Sequence, residues 1–517
     1  VPDLPAPRSA RGASISLEGR SFDVTVIGGG YAGLAAALRC SEAGARVLLL
    51  ERMGYFGGCA ATFERSGHRF EAGATLFAGF DPGGLFTRWI ETHQLPVTVE
   101  HLDPALEFRT PEFRIAARRD REAFVRSWCE LPDAPVDRIR RFFDFQRRVA
   151  DRLWAILDAP HLLPPWSAPS FIALLRRAVP CAPLLPWLGR PLEELLERFD
   201  LLRFEPLRQY LDSACQITVQ CGVRTAEVPF ALGAIDYVHR GAAHVRGGIG
   251  VFGEALASRI EALGGTVART CAARGLRRQG GGWQVETRRG TVRTREVIAN
   301  LLPTTLEEWL RRGALSGEPR GFRLDEALRR LEPLDEPRED GWGACMLYRA
   351  IDGEGLGDSP HHLQLRARGP GEAIEGDHVF CSISGATDGE RTPVPGERTV
   401  TISTHVPLRS SRSENAPELI AEVQERMRRT VSRLAPELAA RTTREWTASP
   451  RTFARFTGRP EGWVGGVPRR AGPEHYRRLG PRRIAEGLHL VGDSVFPGQS
   501  ILATAIGGLR AAEAALR

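Results

Sequence analysis

Three short stretches of this 517-residue chain hold residues whose types and spacing can do chemistry. The first is Gly28-Gly-Gly30-Tyr-Ala32-Gly33, a G-x-G-x-x-G run, with Glu51 and Arg52 following a second apolar stretch. The second joins Gly57-Gly58-Cys-Ala-Ala-Thr62 to Phe70-Glu-Ala-Gly73-Ala74-Thr75, and the third is Gly492-Asp493-Ser494 followed by Phe496-Pro-Gly498-Gln499. Glycines let backbone N–H groups approach a phosphate or ring closely, and an acid placed like Glu51 accepts hydrogen bonds from an adenosine ribose. The chemistry implied is the binding of a dinucleotide.

Such residues work only when secondary structure aims them. Phe22-Asp-Val-Thr-Val-Ile27 reads as a short strand, and a small-residue helix follows the glycines through Ala43. In that setting Gly28 permits the strand-to-helix turn, Gly30 admits a diphosphate, and Gly33 lets the helix pack against the sheet, with its N-terminus facing the phosphates. Arg46-Val-Leu-Leu-Leu50 is a second strand ending at Glu51, and an acid there favours a ribose without a 2′-phosphate. At the other end of the chain, Leu488-His-Leu-Val491 runs into the Gly492-Asp493 turn, and Ser500 to Leu516 reads as a helix whose first turn includes Ile501. FAD and NAD share the first fingerprint, so the later segments must separate them.

Composition narrows the field. Lys+Arg total 70 against 63 Asp+Glu, and all 70 cations are arginine, which excludes a catalytic lysine. The arginines are spread along the chain among acids, a pattern of a solvated surface able to touch anionic lipid rather than a nucleic-acid patch. Nine scattered cysteines without a C-x-x-C pair suggest neither a disulfide framework nor a zinc site, and fit a reducing cytoplasm. Residues 1–20 lack the apolar core of a signal peptide and read as a flexible tail, and since Val1 is not an initiator Met a start upstream is expected. His361-His362 reads as surface rather than metal-binding, and no metal site is expected.

The segments Ser449-Pro-Arg-Thr-Phe-Ala-Arg-Phe-Thr-Gly-Arg-Pro460, Gly462-Trp-Val-Gly-Gly-Val-Pro468 and Val491-Gly-Asp-Ser-Val-Phe-Pro-Gly-Gln499 resemble the C-terminus of carotenoid (phytoene) desaturases and carotene isomerases. His244-Val-Arg-Gly-Gly-Ile-Gly250 and Glu296-Val-Ile-Ala-Asn300 resemble that family's central flavin segment. The resemblance implies an α/β fold with a discontinuous Rossmann-like FAD-binding domain, of the glutathione-reductase-like, amine-oxidase kind, and an α+β substrate domain. It implies FAD as cofactor, with Asp493 on the ribitol or pyrophosphate region, the C-terminal helix facing the flavin's N1–C2=O edge, and Ala273 near the adenine. Gly58, Gly73, Ala74, Thr75, Gly492, Gly498 and Ile501 join the first-loop residues as candidate cofactor contacts. Gln499-Ser500 in place of Gln-Gly, and Leu301-Leu302 in place of Ala-Asp, depart from the family pattern.

On this reading residues 21–110, 236–310 and 465–517 build the FAD-binding domain, while 111–235 and 311–464 form the substrate domain, the former also facing a membrane. Arg398-Thr-Val-Thr-Ile-Ser-Thr-His405, Cys345-Met-Leu-Tyr348 and His378-Val-Phe-Cys-Ser-Ile383 read as strands, and Glu418 to Leu434 as an amphipathic helix. Leu, Trp, Pro and Arg over 154–190 suit either a surface dipping into lipid headgroups or helices buried in the substrate domain. No run there is long enough to span a bilayer. Asp212 and Glu227 are the candidate acids near the substrate channel.

The resemblance further implies removal of a hydride and a proton from an acyclic carotenoid, electrons passing to a quinone or oxygen. The Phe-Thr-Gly-Arg and Trp-Val-Gly-Gly pattern looks closest to carotenoid 3,4-desaturases. The alternatives are a carotene cis-trans isomerase using reduced FAD, a retinol-saturase-like reductase, and a flavin-free binding module like the Rab GDP-dissociation inhibitors. A cytoplasmic, peripherally membrane-associated protein is expected.

Overall fold

The structure, a computed structural model, describes all residues except 1–15, 164–171, 173–183, 316–321, 335–340, 360, 370–374, 412–415, 474–475 and 477–482. Its first layer is an eight-stranded sheet centred on β1 (Ser21–Ile27), which pairs in parallel with β2 (Val47–Leu50) on one side and with β3 (Gly290–Ala299) on the other. Thr266–Ala268 extends the sheet beyond β2, and Leu488–Leu490 pairs in parallel with the end of β3. The sequence Val-Leu-Leu-Leu of β2 is buried along its whole length. That is the signature of a parallel strand covered on both faces.

The covering helices are built from small residues for the same reason. The helix Tyr31–Glu42 buries Ala32, Gly33, Ala35, Ala36 and Ala37, and packs on both the sheet and the C-terminal helix Ile501–Ala515. Both helices leave strands of one sheet, so the two ends of the chain converge on one face.

The second layer is a seven-stranded sheet in which β4 (Trp342–Asp352), β5 (His361–Arg366), β6 (His378–Ile383) and β7 (Glu397–Pro407) are joined by Thr442–Ala448 at one edge and by Leu106–Arg109 and Arg114–Ala117 at the other. Alternation along each strand divides its faces. One face, with Leu347, Leu363, Leu365, Val379, Val400 and Ile402, packs on the amphipathic helix Ala416–Leu434 through Val423, Met427 and Val431. The opposite face is polar over much of its area: the register places Ala344, His405, His378 and Arg366 in one row across it, His405 half-buried and the others buried, and Arg366 reaches Ser213 on the helix Glu205–Thr218.

The expected strands and helices in these two layers are present. Three details differ from the sequence reading. The strand Leu106–Arg109 belongs to the second sheet, so that sheet begins before residue 110. Leu17, inside the stretch read as a tail, is buried, and its N–H donates to the Arg289 carbonyl; residues 1–15 lie outside the described residues. His362 is not at the surface: it is only 2% exposed, because its strand position points it into the polar face, where it meets Ser382. Of the 154–190 segment, Trp154, Leu162, Leu163 and Leu184 are buried, whereas Leu185 and Leu188 are exposed; most of the rest lies outside the described residues. Among the described residues, no helix is long and apolar enough to cross a membrane.

Candidate nucleotide-binding site

The first glycine loop is shaped by what its neighbours forbid. Gly28 has φ +98°, and a Cβ there would stand 2.7 Å from the Asn300 carbonyl oxygen. Gly33 has no room for a Cβ against the Gly28 carbonyl, and a Cβ on Gly30 would meet Asn300 Nδ2 at 2.9 Å. The turn therefore admits no side chain at these three positions. Ala32, the residue between, is buried in the helix behind it.

Glu51, at the end of β2, is buried and receives the Gly29 N–H on Oε2 and the Met53 N–H on Oε1, each at 2.7 Å. Burial raises its pKa and these two bonds oppose the rise. Each oxygen keeps a further lone pair for a ribose hydroxyl. Arg52 is turned outward and its guanidinium donates to the Arg455 carbonyl. Ala273 opens the strand Ala273–Gln279, two residues beyond Cys271, whose N–H donates to the Glu51 carbonyl.

The second loop folds directly onto the first. Gly57 N–H donates to the Gly29 carbonyl, and a Cβ on Gly58, at φ +61°, would stand 3.3 Å from Gly30 Cα. The Cys59 carbonyl accepts from Ala74 N–H, and a Cβ on Gly73 would stand 3.2 Å from that same oxygen. Thus Gly73, Ala74 and Thr75 are tied to the loop through Cys59.

The C-terminal turn closes the third side. Gly492 has φ +124°, and its Cβ position lies 2.8 Å from Asn300 Oδ1, while Asn300 Nδ2 donates to the Gly28 carbonyl at 3.4 Å. One amide side chain therefore spans the first and third glycine turns. Asp493 forms a two-oxygen ion pair with Arg459, at 2.8 and 2.9 Å. Burial works against the Arg459 cation, but the Asp493 charge outweighs it and raises its pKa. Gly498, at φ +97°, precedes Ser500, whose hydroxyl caps the C-terminal helix by accepting from Ala503 N–H at 3.0 Å; Ile501 is the first residue of that helix.

The structure thus brings together Gly28, Gly30, Gly33, Glu51, Gly58, Gly73, Gly492, Asp493 and Gly498 from three distant segments. Sequence reasoning missed Asn300, Arg459 and Arg469. Asn300 and Arg459 lay inside quoted segments, but one buried arginine among 70 gives no signal of its own.

Asp212 and Glu227 hold turns, and the Glu227 N–H donates to the carbonyl of Arg469, beside the third turn. Asp212 accepts the Val223 N–H at 2.8 Å, with Arg208 and Arg366 each 4.0 Å away, and burial raises its pKa. Glu227 caps the helix Val228–Ile235 by accepting Phe230 N–H, and also receives Gly189 N–H and the Tyr476 hydroxyl; burial raises its pKa as well. No cluster of potential metal ligands occurs among the described residues.

Around the third turn, Arg459 Nη1, Arg469 Nη2, Ser494 Oγ and Gln499 Oε1 are buried with no hydrogen-bond partner among the described residues. Buried polar atoms without partners are expensive, so their gathering at one turn marks a place for a polar ligand. Two glycine turns, a ribose-type acid and two helix N-termini can together bind an elongated dinucleotide.

Comparison with known proteins agrees. Residues 26–91 match the NAD(P)-binding Rossmann-like domain family. Prolycopene isomerase 1, chloroplastic, from an Oncidium hybrid cultivar is 25% identical over 96% of this chain and 84% of its own length. The carotenoid 3,4-desaturase of Haloarcula japonica is 47% identical over 11% of each chain. This chain is a relative of the carotenoid isomerases and desaturases. An oxidoreductase from Methanosarcina mazei superposes with a TM-score of 0.63 at 17% identity, covering 95% of this chain and 100% of that one, which shows the shared fold. The likeness to the 3,4-desaturase is confined to a short segment, whereas the isomerase matches along nearly the whole chain. The protein is an oxidoreductase of nucleotide-binding α/β fold.

Proposed function

We propose that the protein is an FAD-dependent carotenoid desaturase acting on an acyclic polyene. The observation that carries the cofactor is the gathering of unpartnered buried polar atoms at the Gly492–Ser500 turn, opposite a glycine loop whose Cβ positions are blocked. Those residues fit FAD: Gly28, Gly30 and Gly33 would take the diphosphate, Glu51 the ribose, and Asp493, Arg459, Gln499 and the C-terminal helix the flavin half. Bound FAD supplies hydride acceptance, which a chain without lysine or a free acid–base pair at the site does not need to supply itself.

The chain's own residues then bind, orient and exclude water. The apolar cluster of Phe70, Met346, Tyr348 and Phe453 stands beside Gly73, with the Tyr348 hydroxyl donating to the Ala72 carbonyl at 3.1 Å. This aromatic wall suits a flat conjugated chain. Exposed Leu185 and Leu188 support contact with a membrane surface from which such a substrate is drawn, with a quinone or oxygen as electron acceptor.

A second reading, a carotene cis-trans isomerase that uses reduced FAD without net redox, is favoured by the name of the relative that matches along almost the whole chain. Anaerobic incubation with an acyclic carotenoid in liposomes separates the two, run once with oxidised and once with dithionite-reduced protein. Loss of two hydrogens with a red-shifted spectrum under oxidised flavin supports the desaturase. Unchanged mass with a new isomer profile under reduced flavin replaces it by the isomerase. A colourless protein that leaves the carotenoid unchanged overturns both.

A further inference from the structure

Arg459 and Arg469 flank the same C-terminal turn but differ in what balances them. Arg459 is neutralised by Asp493. Arg469 is only 5% exposed, and its guanidinium makes no hydrogen bond or ion pair among the described residues. It stacks over the Phe230 ring, whose centroid lies 5.2 Å from Cζ. The nearest influential acid, Glu227, is already committed to Gly189 N–H, Phe230 N–H and the Tyr476 hydroxyl. Burial pushes the Arg469 pKa down to about 10, which leaves it a cation at neutral pH.

Its direction is set by Gly498. Arg469 Nη2 occupies the space a Cβ on Gly498 would need, so the guanidinium lies against the turn that leads into the helix Ile501–Ala515. That helix runs for 15 residues and has no acid in its first turn. Its N-terminus carries the positive end of the peptide dipoles. Two sources of positive potential therefore converge on residues 498–501, and among the described residues Arg469 has no ion-pair partner, Glu227 acting on it only from beyond ion-pair distance. The glycine loop at Gly28–Gly33 already serves a diphosphate, so the second positive site belongs to the other end of an elongated ligand.

We propose that Arg469 is a flavin-tuning residue: with the N-terminus of the C-terminal helix, it holds the negative charge that a flavin's pyrimidine edge takes up on two-electron reduction. The inference rests on the FAD reading above. It assigns Arg469 a role in redox poise, and it explains why a guanidinium is kept buried with no ion-pair partner among the described residues. The reduced form is favoured in the protein relative to free flavin, and the preference lies in charge rather than in shape.

The test uses purified holoprotein of the wild type and of Arg469→Met, Arg469→Gln and Arg469→Lys. Flavin content of the wild type is measured first; a wild type that holds no flavin refutes the FAD reading itself. Sulfite is the probe: its lone pair adds to flavin N5, forming an N–S bond, and the displaced electron pair resides on the N1–C2=O edge, with no leaving group. Arg469→Met is expected to keep flavin but bind sulfite roughly tenfold more weakly or worse, with the midpoint potential lower by about 30 mV per tenfold for a two-electron couple. Arg469→Lys keeps the charge and is expected to stay near wild type in both readouts. Should Arg469→Met not fold, Arg469→Gln carries the same comparison. Neutral variants that bind flavin with unchanged sulfite affinity and potential overturn the proposal, because a packing residue would behave that way. So does a lysine variant as weak as the neutral ones.

Discussion

Gly508 on the C-terminal helix lies against the carbonyl of Ala32 on the first helix so closely that no Cβ fits between them. The neighbouring Gly507 differs: a Cβ there would make only an ordinary 3.7 Å contact with Pro497 Cδ. The crossing clamps the two ends of the chain together, each helix following a strand of the same sheet. Gly508→Ala must push backbone against backbone, and is expected to destabilise the fold by about 1–3 kcal/mol. Gly507→Ala, with room and better helix propensity, is expected to be neutral or stabilising by up to about 1 kcal/mol. Urea unfolding of the two variants checks the contrast, and equal effects would show that the crossing is not tight.

The cofactor map makes a separate claim. Glu51→Ala removes the acceptor of the Gly29 and Met53 N–H groups and, on the proposed reading, the ribose partner, and Asp493→Ala leaves Arg459 without its counter-charge. Both variants are expected to be purified with little flavin, read from the visible absorption band against protein. Near-wild-type occupancy in both would refute the site.

Much of this was legible in the sequence, and the reason is physical. Gly28 and Gly30 between the strand and the helix, and Gly33 in the helix's first turn, hold a fixed spacing because sterics leave no alternative, and Gly492-Asp493 repeats the same strand-to-turn logic. The buried runs of β1 and β2 and the alternation of Arg398 to His405 likewise carry their partners in their periodicity. What stayed hidden depends on distant segments meeting. Asn300 is one amide at a strand end until the fold sets it between Gly28 and Gly492. The burial of His362 depends on a polar sheet face that no local pattern announces, since alternation shows two faces but not that both are covered.

The Arg459–Asp493 pair carries a prediction of its own. Removing one partner of a buried ion pair strands the other charge, whereas removing both does not. Because both side chains are only partly buried, Arg459→Met is expected to cost about 1–3 kcal/mol of stability, and the double variant with Asp493→Asn to recover most of it. A double-mutant cycle by urea unfolding of the flavin-free proteins reads the coupling. Additive losses would mean that the two groups act independently.

The polar face of the second sheet makes stability depend on pH. Burial pushes the pKa of His362 down to about 3, of His378 to about 3 and of His405 to about 4. Gln364 Nε2 lies 3.1 Å from His378 Nε2, an arrangement in which the amide donates to a neutral ring. Unfolded histidines bind protons below about pH 6.5, and these three in the fold do not until much lower pH. The unfolded chain thus gains protons first, so stability is complete above about pH 6.5 and falls as pH drops from there toward about 4. Each histidine contributes a slope of up to about 1.4 kcal/mol per pH unit. Glu51, Asp212 and Glu227, whose pKa values burial raises, oppose the loss at the acidic end of the window, since the fold binds their protons before the unfolded chain does. His378→Gln keeps a polar side chain without a titrating ring, and is expected to flatten the dependence between about pH 6.5 and 5 by close to one proton. Urea midpoints measured across that range decide it, and a wild-type slope retained by the variant would mean that His378 takes up its proton in the fold as readily as outside it.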